Sequence, residues 1–154
     1  MTWKIVNYKK NFNDRYINLA EDKCEEHLKR NNIPYKRFGW DYLNDPIKGS
    51  NFYMLPQTMR SLPDFIIFNE KAYFIEVKGC HKVLRIKQCD LKTYSFWNKV
   101  MKLFFFIYST LKDKIYKLSY RDLNDISKYC EVKVYPDNNK EYYEITNELL
   151  EERG

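Results

Sequence analysis

The sequence predicts an α/β domain in which a mixed β-sheet is flanked by helices. Three observations indicate this class. Apolar residues recur at helical spacing in residues 14–31, two apolar stretches at 64–68 and 73–78 flank a short turn, and residues 103–108 form an apolar run of strand length. Helical and extended segments therefore alternate along the chain, as they do in folds whose helices pack on the faces of a sheet.

The composition is that of a globular protein. The chain has 154 residues, of which 44% are apolar and 31% charged, and this length predicts a single domain over 1–154. We expect a core at about 14–110 and a β-rich C-terminal extension at about 111–154. Lysine and arginine outnumber aspartate and glutamate by 27 to 21, and the net charge of +6 is compatible with a polyanionic partner.

The sequence contains no apolar run of about 18 residues and no secretory signal core near Met1. We therefore expect no membrane partner and a cytoplasmic, intracellular location, which would be the host cytoplasm if the chain is viral. The four cysteines show no C-x-x-C spacing, so neither a disulfide framework nor a zinc ribbon is predicted. Two histidines without an H-E-x-x-H motif also disfavour zinc hydrolase chemistry.

The first helix is predicted over about 14–31, because apolar residues there recur every three or four positions. These residues are Ile17, Ala20, Cys24 and Leu28. Two asparagines and Pro34 end the helix, and a strand is predicted at 33–40. Residues 41–61 then form a loop that is long for a compact domain, so we expect it to be either functional or mobile.

A second helix is predicted over 84–101 from its helical spacing, and a buried strand follows at 103–108. The rest of the chain predicts a strand at 114–118, a helical turn near 122–126 and a β-hairpin over 131–145. The core order is therefore helix, three strands, helix and strand, with an extra C-terminal β-hairpin.

The turn at 69–71 predicts the register of the strands around it. If Phe68 faces Ala72, counting outward places Asp64 directly opposite Glu76. Opposed Cβ atoms lie roughly 5 Å apart, so two carboxylates there repel each other unless a cation lies between them. Mg²⁺ fits, since it binds through one or two carboxylates together with water and phosphate oxygens. Mn²⁺ should substitute, because all these ligands are oxygen donors.

Two further charged residues are predicted to lie near this pair. Lys78 shares the sheet face of Glu76, where it could orient or help deprotonate an attacking water or neutralise charge on a phosphate. On the first helix, Glu21 falls on the apolar stripe, whereas Glu25 lies at its border and Glu26 faces solvent. A carboxylate on that stripe is explained if Glu21 reaches the same cation, with Glu25 as the alternative.

These motifs together resemble the PD-(D/E)XK nuclease superfamily, in which a helix glutamate precedes a Pro-Asp pair and an E-x-K strand. Three stretches carry a closer resemblance to phage junction-resolving endonucleases: "EDKCEEHLKRNNIPYKR" at 21–37, "LPDF" at 62–65 and "IEVKG" at 75–79. The resemblance covers roughly residues 15–110. Residues 111–154 depart from it, because a tyrosine-rich hairpin and an acidic tail stand where the junction-resolving group is expected to have a basic end.

The resemblance implies a restriction-endonuclease-like αβββαβ core and Mg²⁺-dependent hydrolysis of DNA phosphodiester bonds. It implies that Glu21, Asp64 and Glu76 are metal ligands and that Lys78 is the catalytic lysine. We expect branched or structured DNA in recombination, repair or phage DNA processing as the substrate. A site-specific or DNA-end nuclease, an RNA substrate and a non-catalytic nucleic-acid-binding module stay open. Two cuts across a junction need two active sites, which favours a homodimer.

Basic residues on or beside the predicted second helix are candidates for contact with a phosphate backbone. Two neighbours, a glutamine and a tyrosine, resemble substrate-contacting positions in some superfamily members. The nucleic-acid-binding candidates are Lys82, Arg85, Lys87, Gln88, Lys92 and Tyr94. The alternative is a solvated helix face. In the late hairpin, Tyr142 and Tyr143 alternate faces, so one is available for base stacking or for a cross-strand contact.

Overall fold

The structure is a computed structural model that describes the backbone of residues 8–40 and 49–153 and the side chains of 19–40 and 50–153. The helices in these ranges are α1 (Tyr8–Arg30), α2 (Gly49–Phe52), α3 (Gln57–Arg60), α4 (Gln88–Val100), α5 (Tyr120–Ser127) and α6 (Asn147–Arg153). The strands are β1 (Tyr35–Arg37), β2 (Phe65–Phe68), β3 (Ala72–Cys80), β4 (Val83–Lys87), β5 (Leu103–Ser109), β6 (Lys114–Ser119), β7 (Glu131–Val134) and β8 (Glu141–Thr146).

Five strands form a central mixed sheet in the order β1-β2-β3-β5-β6. The middle strand, β3, runs antiparallel to β2 and parallel to β5. Phe68 pairs with Ala72 and Phe65 pairs with Ile75, which confirms the predicted hairpin register. The predicted mixed sheet flanked by helices is therefore confirmed.

The predicted C-terminal hairpin is also present, because β7 and β8 pair antiparallel with Val132 opposite Tyr143. It is not an isolated extension. Strand β4 pairs with the other edge of β8, so that Arg85 lies opposite Glu144, and the three strands form a second, smaller sheet in the order β4-β8-β7.

The prediction of a helix over 84–101 is wrong at its N-terminal end. Residues 83–87 form β4, in which Leu84 and Ile86 are buried and Arg85 is exposed. This alternation of period two suits a strand, and pairing with β8 decides the outcome. The acidic C-terminal stretch, interpreted as a tail, forms α6 and buries Leu150 completely.

Two other predicted segments differ in extent from the structure. The strand predicted at 33–40 is confined to Tyr35–Arg37. Of the loop predicted at 41–61, residues 49–61 contain the short helices α2 and α3, and residues 41–48 lie outside the described residues, as does the side chain of Ile17. In the described ranges, no helix is both long and apolar enough to cross a membrane.

Apolar side chains cover both faces of the central sheet. On one face, Ala20, Cys24 and Leu28 of α1 are buried against β3 and β5, so the predicted apolar stripe is confirmed for these residues. On the other face, α4, α5 and α6 pack over a larger cluster that also includes the small sheet. Because side chains alternate along β3, Val77 faces α1, whereas Glu76 and Lys78 face α4.

Candidate active site

Two acidic side chains meet where β2 and β3 lie side by side. Asp64 immediately precedes β2, and extending the pairing of Phe65 with Ile75 by one residue places Asp64 beside Glu76. The backbone N–H of Val77 donates to Asp64 Oδ2 at 2.7 Å, and the two carboxyl groups share a hydrogen bond. Glu76 is only 7% exposed, whereas Asp64 is half-buried.

Burial and then the charge of Glu76 raise the pKa of Asp64 well above its ordinary value, although the Val77 N–H and Lys78 act in the opposite direction. Two neighbouring negative charges repel each other at low dielectric, which is why the charge of Glu76 makes Asp64 harder to ionise. A cation between the two side chains would relieve this repulsion.

Lys78 supplies the positive charge next to this pair. Its Nζ lies 3.7 Å from Glu76 Oε2 and 5.3 Å from the ring centroid of Tyr94. Burial lowers the pKa of Lys78, but the neighbouring carboxylates, Glu76 first and then Asp90 and Asp64, outweigh it and raise this pKa above the ordinary value. Lys78 is therefore an ammonium in the metal-free protein.

Tyr94 orients the carboxylate from the other side. It is buried on α4, packs edge-on against Phe105, and its hydroxyl donates a hydrogen bond to Glu76 Oε2. Burial and then the charge of Glu76 raise the pKa of Tyr94 well above its ordinary value, so the hydroxyl keeps its proton. Tyr94 was predicted to bind nucleic acid; the structure places it in the site and in contact with Glu76.

Glu21 lines the same cleft but is held by a neighbour. Arg37 Nη1 donates to Glu21 Oε2 at 3.0 Å. Glu25 instead accepts from the Tyr35 hydroxyl at 3.1 Å, and Glu26 is exposed as predicted. Among the described side chains, no three His, Cys, Asp or Glu residues are grouped closely enough to hold one metal ion. The structure thus unites Asp64, Glu76 and Lys78, and the assignment of Glu21 as a ligand stays a prediction.

Gly39 positions the backbone of Asp64. The N–H groups of Phe38 and Gly39 donate to the Asp64 carbonyl oxygen at 2.9 and 3.1 Å. A Cβ atom on Gly39 would lie 2.9 Å from the Pro63 carbonyl oxygen and 3.1 Å from Asp64 Cα. Because these neighbours are backbone atoms, only glycine permits this approach.

The pair lies in an open cleft of about 680 Å³. Beyond the residues predicted from sequence, the cleft is lined by Trp40, Arg60, Asp90 and Tyr135. Of the nucleic-acid-binding candidates, Lys82, Arg85 and Tyr94 line it, with Lys82 and Arg85 exposed. Lys87 and Gln88 stand where β4 meets α4, and Lys92 is exposed on α4.

Mg²⁺ or Mn²⁺ fits the donors at this site. The ligands available from Asp64 and Glu76 are carboxylate oxygens, which hard divalent cations prefer, and water or phosphate oxygens complete their coordination. The charge of Glu76 contributes to the raised pKa of Asp64, so a positive charge between the two carboxylates is electrostatically favourable. A bound cation would supply that charge.

No protein-family model and no curated protein matches this sequence. Solved structures do. Hjc, a Holliday junction resolvase from Archaeoglobus fulgidus, aligns with 90% of this chain and 89% of its own at 10% identity, with a TM-score of 0.55. A nuclease from a fusselovirus aligns with 94% of this chain and 88% of its own at 11% identity, with a TM-score of 0.52. With the element order and sheet topology described above, these similarities establish that the chain has the restriction-endonuclease-like fold.

Proposed function

We propose that this chain is a metal-dependent endonuclease that hydrolyses phosphodiester bonds of branched or structured DNA. The observation that carries the proposal is the meeting of Asp64 and Glu76 in an open cleft, with the Lys78 ammonium beside them. The two structural neighbours, a Holliday junction resolvase and a viral nuclease, favour DNA and a branched form of it. A homodimer would supply the two sites that paired cuts across a junction require.

In this proposal, Asp64 and Glu76 would hold Mg²⁺ or Mn²⁺, and the bound ion would supply an activated water and positive charge against the phosphate. The Val77 N–H and the Tyr94 hydroxyl each bind one carboxylate oxygen, and so they fix the directions of Asp64 and Glu76. Lys78 donates a hydrogen bond to the phosphate and stabilises the negative charge that develops there. Glu21 would join as a third ligand after release from Arg37.

A cleavage assay tests the proposal. Single strands, linear duplex, flaps and a four-way junction are incubated with the protein in EDTA, Mg²⁺ or Mn²⁺. We expect cutting in both metals and none in EDTA, with the four-way junction or flap preferred over linear duplex. Absence of cutting on every DNA, together with no change in melting temperature when either metal is added, would contradict the proposal.

Replacing Gly39 with alanine is expected to displace Pro63 and Asp64 from their positions beside β3, since the new Cβ meets backbone atoms at 2.9 and 3.1 Å. We expect about 1–3 kcal/mol of lost stability from the overpacking and a fall in cleavage rate of tenfold or more from the displaced carboxylate. Thermal unfolding and single-turnover cleavage measure the two effects. A variant with wild-type stability and a wild-type cleavage rate would show that the close contact between Gly39 and the backbone of residues 63–64 is unimportant.

Tyr94→Phe removes the hydrogen bond to Glu76 while the ring keeps its packing against Phe105. Hydrogen bonds to charged groups contribute about 1.5–3 kcal/mol, so we expect cleavage to slow by about tenfold or more and to need more metal. Tyr116→Phe is the matched control, because this buried tyrosine donates to Glu151 at 3.1 Å outside the cleft. Equal rates for the two variants would argue against a positioning function of Tyr94.

A further inference from the structure

The outer face of the small sheet lines one end of the cleft. Side chains of β4 at this face alternate with the buried Leu84 and Ile86, and the strand pairings bring matching residues of β7 and β8 to the same side. We call the charged and aromatic residues on this side the outer face: Arg85, Lys87, Glu131, Lys133, Tyr135, Tyr142 and Glu144. Of them, Arg85 and Tyr135 line the cleft that holds the carboxylate pair.

Aromatic rings and cations alternate on this outer face. The rings of Tyr135 and Tyr142 lie 4.1 Å apart between centroids at an angle of 32°, and Tyr142 is only 7% exposed. The Arg85 guanidinium lies 5.7 Å from the Tyr142 centroid, and Lys87 Nζ lies 5.8 Å from that of Tyr135. Tyr142 is thus the covered member of a ring stack, and Tyr135 is its partly exposed end.

The cations of the outer face differ in their partners. Lys133 binds Glu144 at 3.3 Å, which neutralises the carboxylate that stands opposite Arg85. Among the described residues, neither Arg85 nor Lys87 forms an ion pair with a carboxylate. They remain positive charges beside an aromatic ring, which is the combination that binds a single-stranded nucleic acid without reading its sequence.

We infer that the outer face binds a single-stranded DNA segment, with an unpaired base stacked on Tyr135 and backbone phosphates on Arg85 and Lys87. The inference rests on the proposed function and extends it to the substrate. Only residues 81 and 82 separate β3, which carries Lys78, from β4, so the outer face adjoins the site of cutting. A base inside a duplex has both faces covered by the neighbouring base pairs, so the outer face selects DNA with an unpaired, unstacked nucleotide next to the scissile phosphate.

Binding without cutting separates this inference from the proposed function. Fluorescein-labelled single-stranded and duplex oligonucleotides are titrated without metal onto full-length protein carrying Asp64→Asn. Adding Tyr135→Leu to this background should weaken single-strand binding about tenfold and leave duplex binding nearly unchanged. Tyr129→Leu is the matched control, because Tyr129 is 81% exposed and lies outside the cleft.

The charge on Arg85 has its own test. Arg85→Ala should weaken single-strand binding and lower the slope of log K against log salt by about 0.7, the value expected for one phosphate contact on a single strand. Arg121→Ala on the exposed surface of α5 is the matched control and should leave the slope unchanged. An unchanged slope in Arg85→Ala would overturn the assignment of a phosphate to Arg85.

Stacking gives a spectroscopic signal that loss of folding would not imitate. A 2-aminopurine base in the single strand should lose fluorescence on binding, and this quenching should persist in Tyr135→Phe and vanish in Tyr135→Leu. Absence of quenching in the Asp64→Asn background itself, or equal weakening of single-strand and duplex binding by Tyr135→Leu, would overturn the inference. If the wild type binds single strands in this way and yet cuts no DNA, that result would contradict the proposed function and leave the inference about the outer face intact.

Discussion

Lys78→Ala is expected to lower the cleavage rate by 100-fold or more while the protein still folds and binds metal. A positioned cation or proton donor in a site of this kind contributes about 10²–10⁴ in rate. Lys78 Nζ lies 3.7 Å from Glu76 Oε2, so in the proposed function it would lie beside a phosphate held at the carboxylate pair. Single-turnover cleavage at saturating Mg²⁺ measures the effect on the chemical step.

Lys71→Ala is the matched control for Lys78→Ala, because Lys71 is exposed in the turn that joins β2 to β3. It should cut DNA at the wild-type rate. If Lys78→Ala also retains that rate, the ammonium has no part in the chemistry. If it loses both activity and its cooperative thermal transition, the lysine is structural, since its charge then serves mainly to offset Glu76.

Asp64→Asn is expected to abolish cleavage and to raise the melting temperature of the metal-free protein. The amide keeps both hydrogen bonds, because its oxygen accepts from the Val77 N–H and its NH₂ group donates to Glu76. It also removes the repulsion between two buried carboxyl groups. We expect a gain on the order of 1 kcal/mol, or about 2–4 °C in a domain of this size.

The pH dependence of stability distinguishes this explanation from a general effect. The pKa of Asp64 is raised in the folded state, so the native protein holds a proton that the unfolded chain releases. The associated stability is complete below the ordinary pKa of 3.8 and is lost as pH rises through the folded value. Over this interval, the melting temperature of Asp64→Asn should exceed that of the wild type by a margin that grows with pH.

Metal is expected to reverse this order of stability. Mg²⁺ or Mn²⁺ should raise the melting temperature of the wild type by mass action and leave that of Asp64→Asn unchanged. Asp125→Asn, at a partly exposed ion pair with Lys128 on α5, should respond to metal as the wild type does. A metal-induced rise of equal size in Asp64→Asn would place the ion elsewhere in the protein.

The carboxylate pair was predictable from the sequence because its geometry is local. A turn at 69–71 leaves one pairing for β2 and β3 that buries Phe65, Ile67 and Ile75, so the register of Asp64 and Glu76 follows by counting. The stripe of α1 was predictable for the same reason, since its helical period lies within a single element.

Features that depend on distant partners were not predictable in this way. Residues 83–87 show both a helical and an alternating apolar pattern, and they become a strand because β8, about 60 residues later, pairs with them. The contact between Tyr94 and Glu76 depends on how α4 packs, and Tyr135 reaches the cleft through the same long-range pairing. The spacing of residues in the local sequence indicates neither the contact of Tyr94 with Glu76 nor the position of Tyr135 at the cleft.

Strand β3 has a hydrogen-bonded neighbour along each edge, β2 on one side and β5 on the other. Glu76 and Lys78 lie beyond the part of β3 that pairs with β2, and they pair with Phe105 and Ile107 of β5. Exposure of their backbone to solvent therefore requires the ladder between these two interior strands of the central sheet to break, which amounts to unfolding of the whole domain. Their amide hydrogens should be among the slowest to exchange with deuterium. We therefore expect the half-life of any activity at high temperature to follow the global unfolding rate, with β3 melting only when the whole domain unfolds.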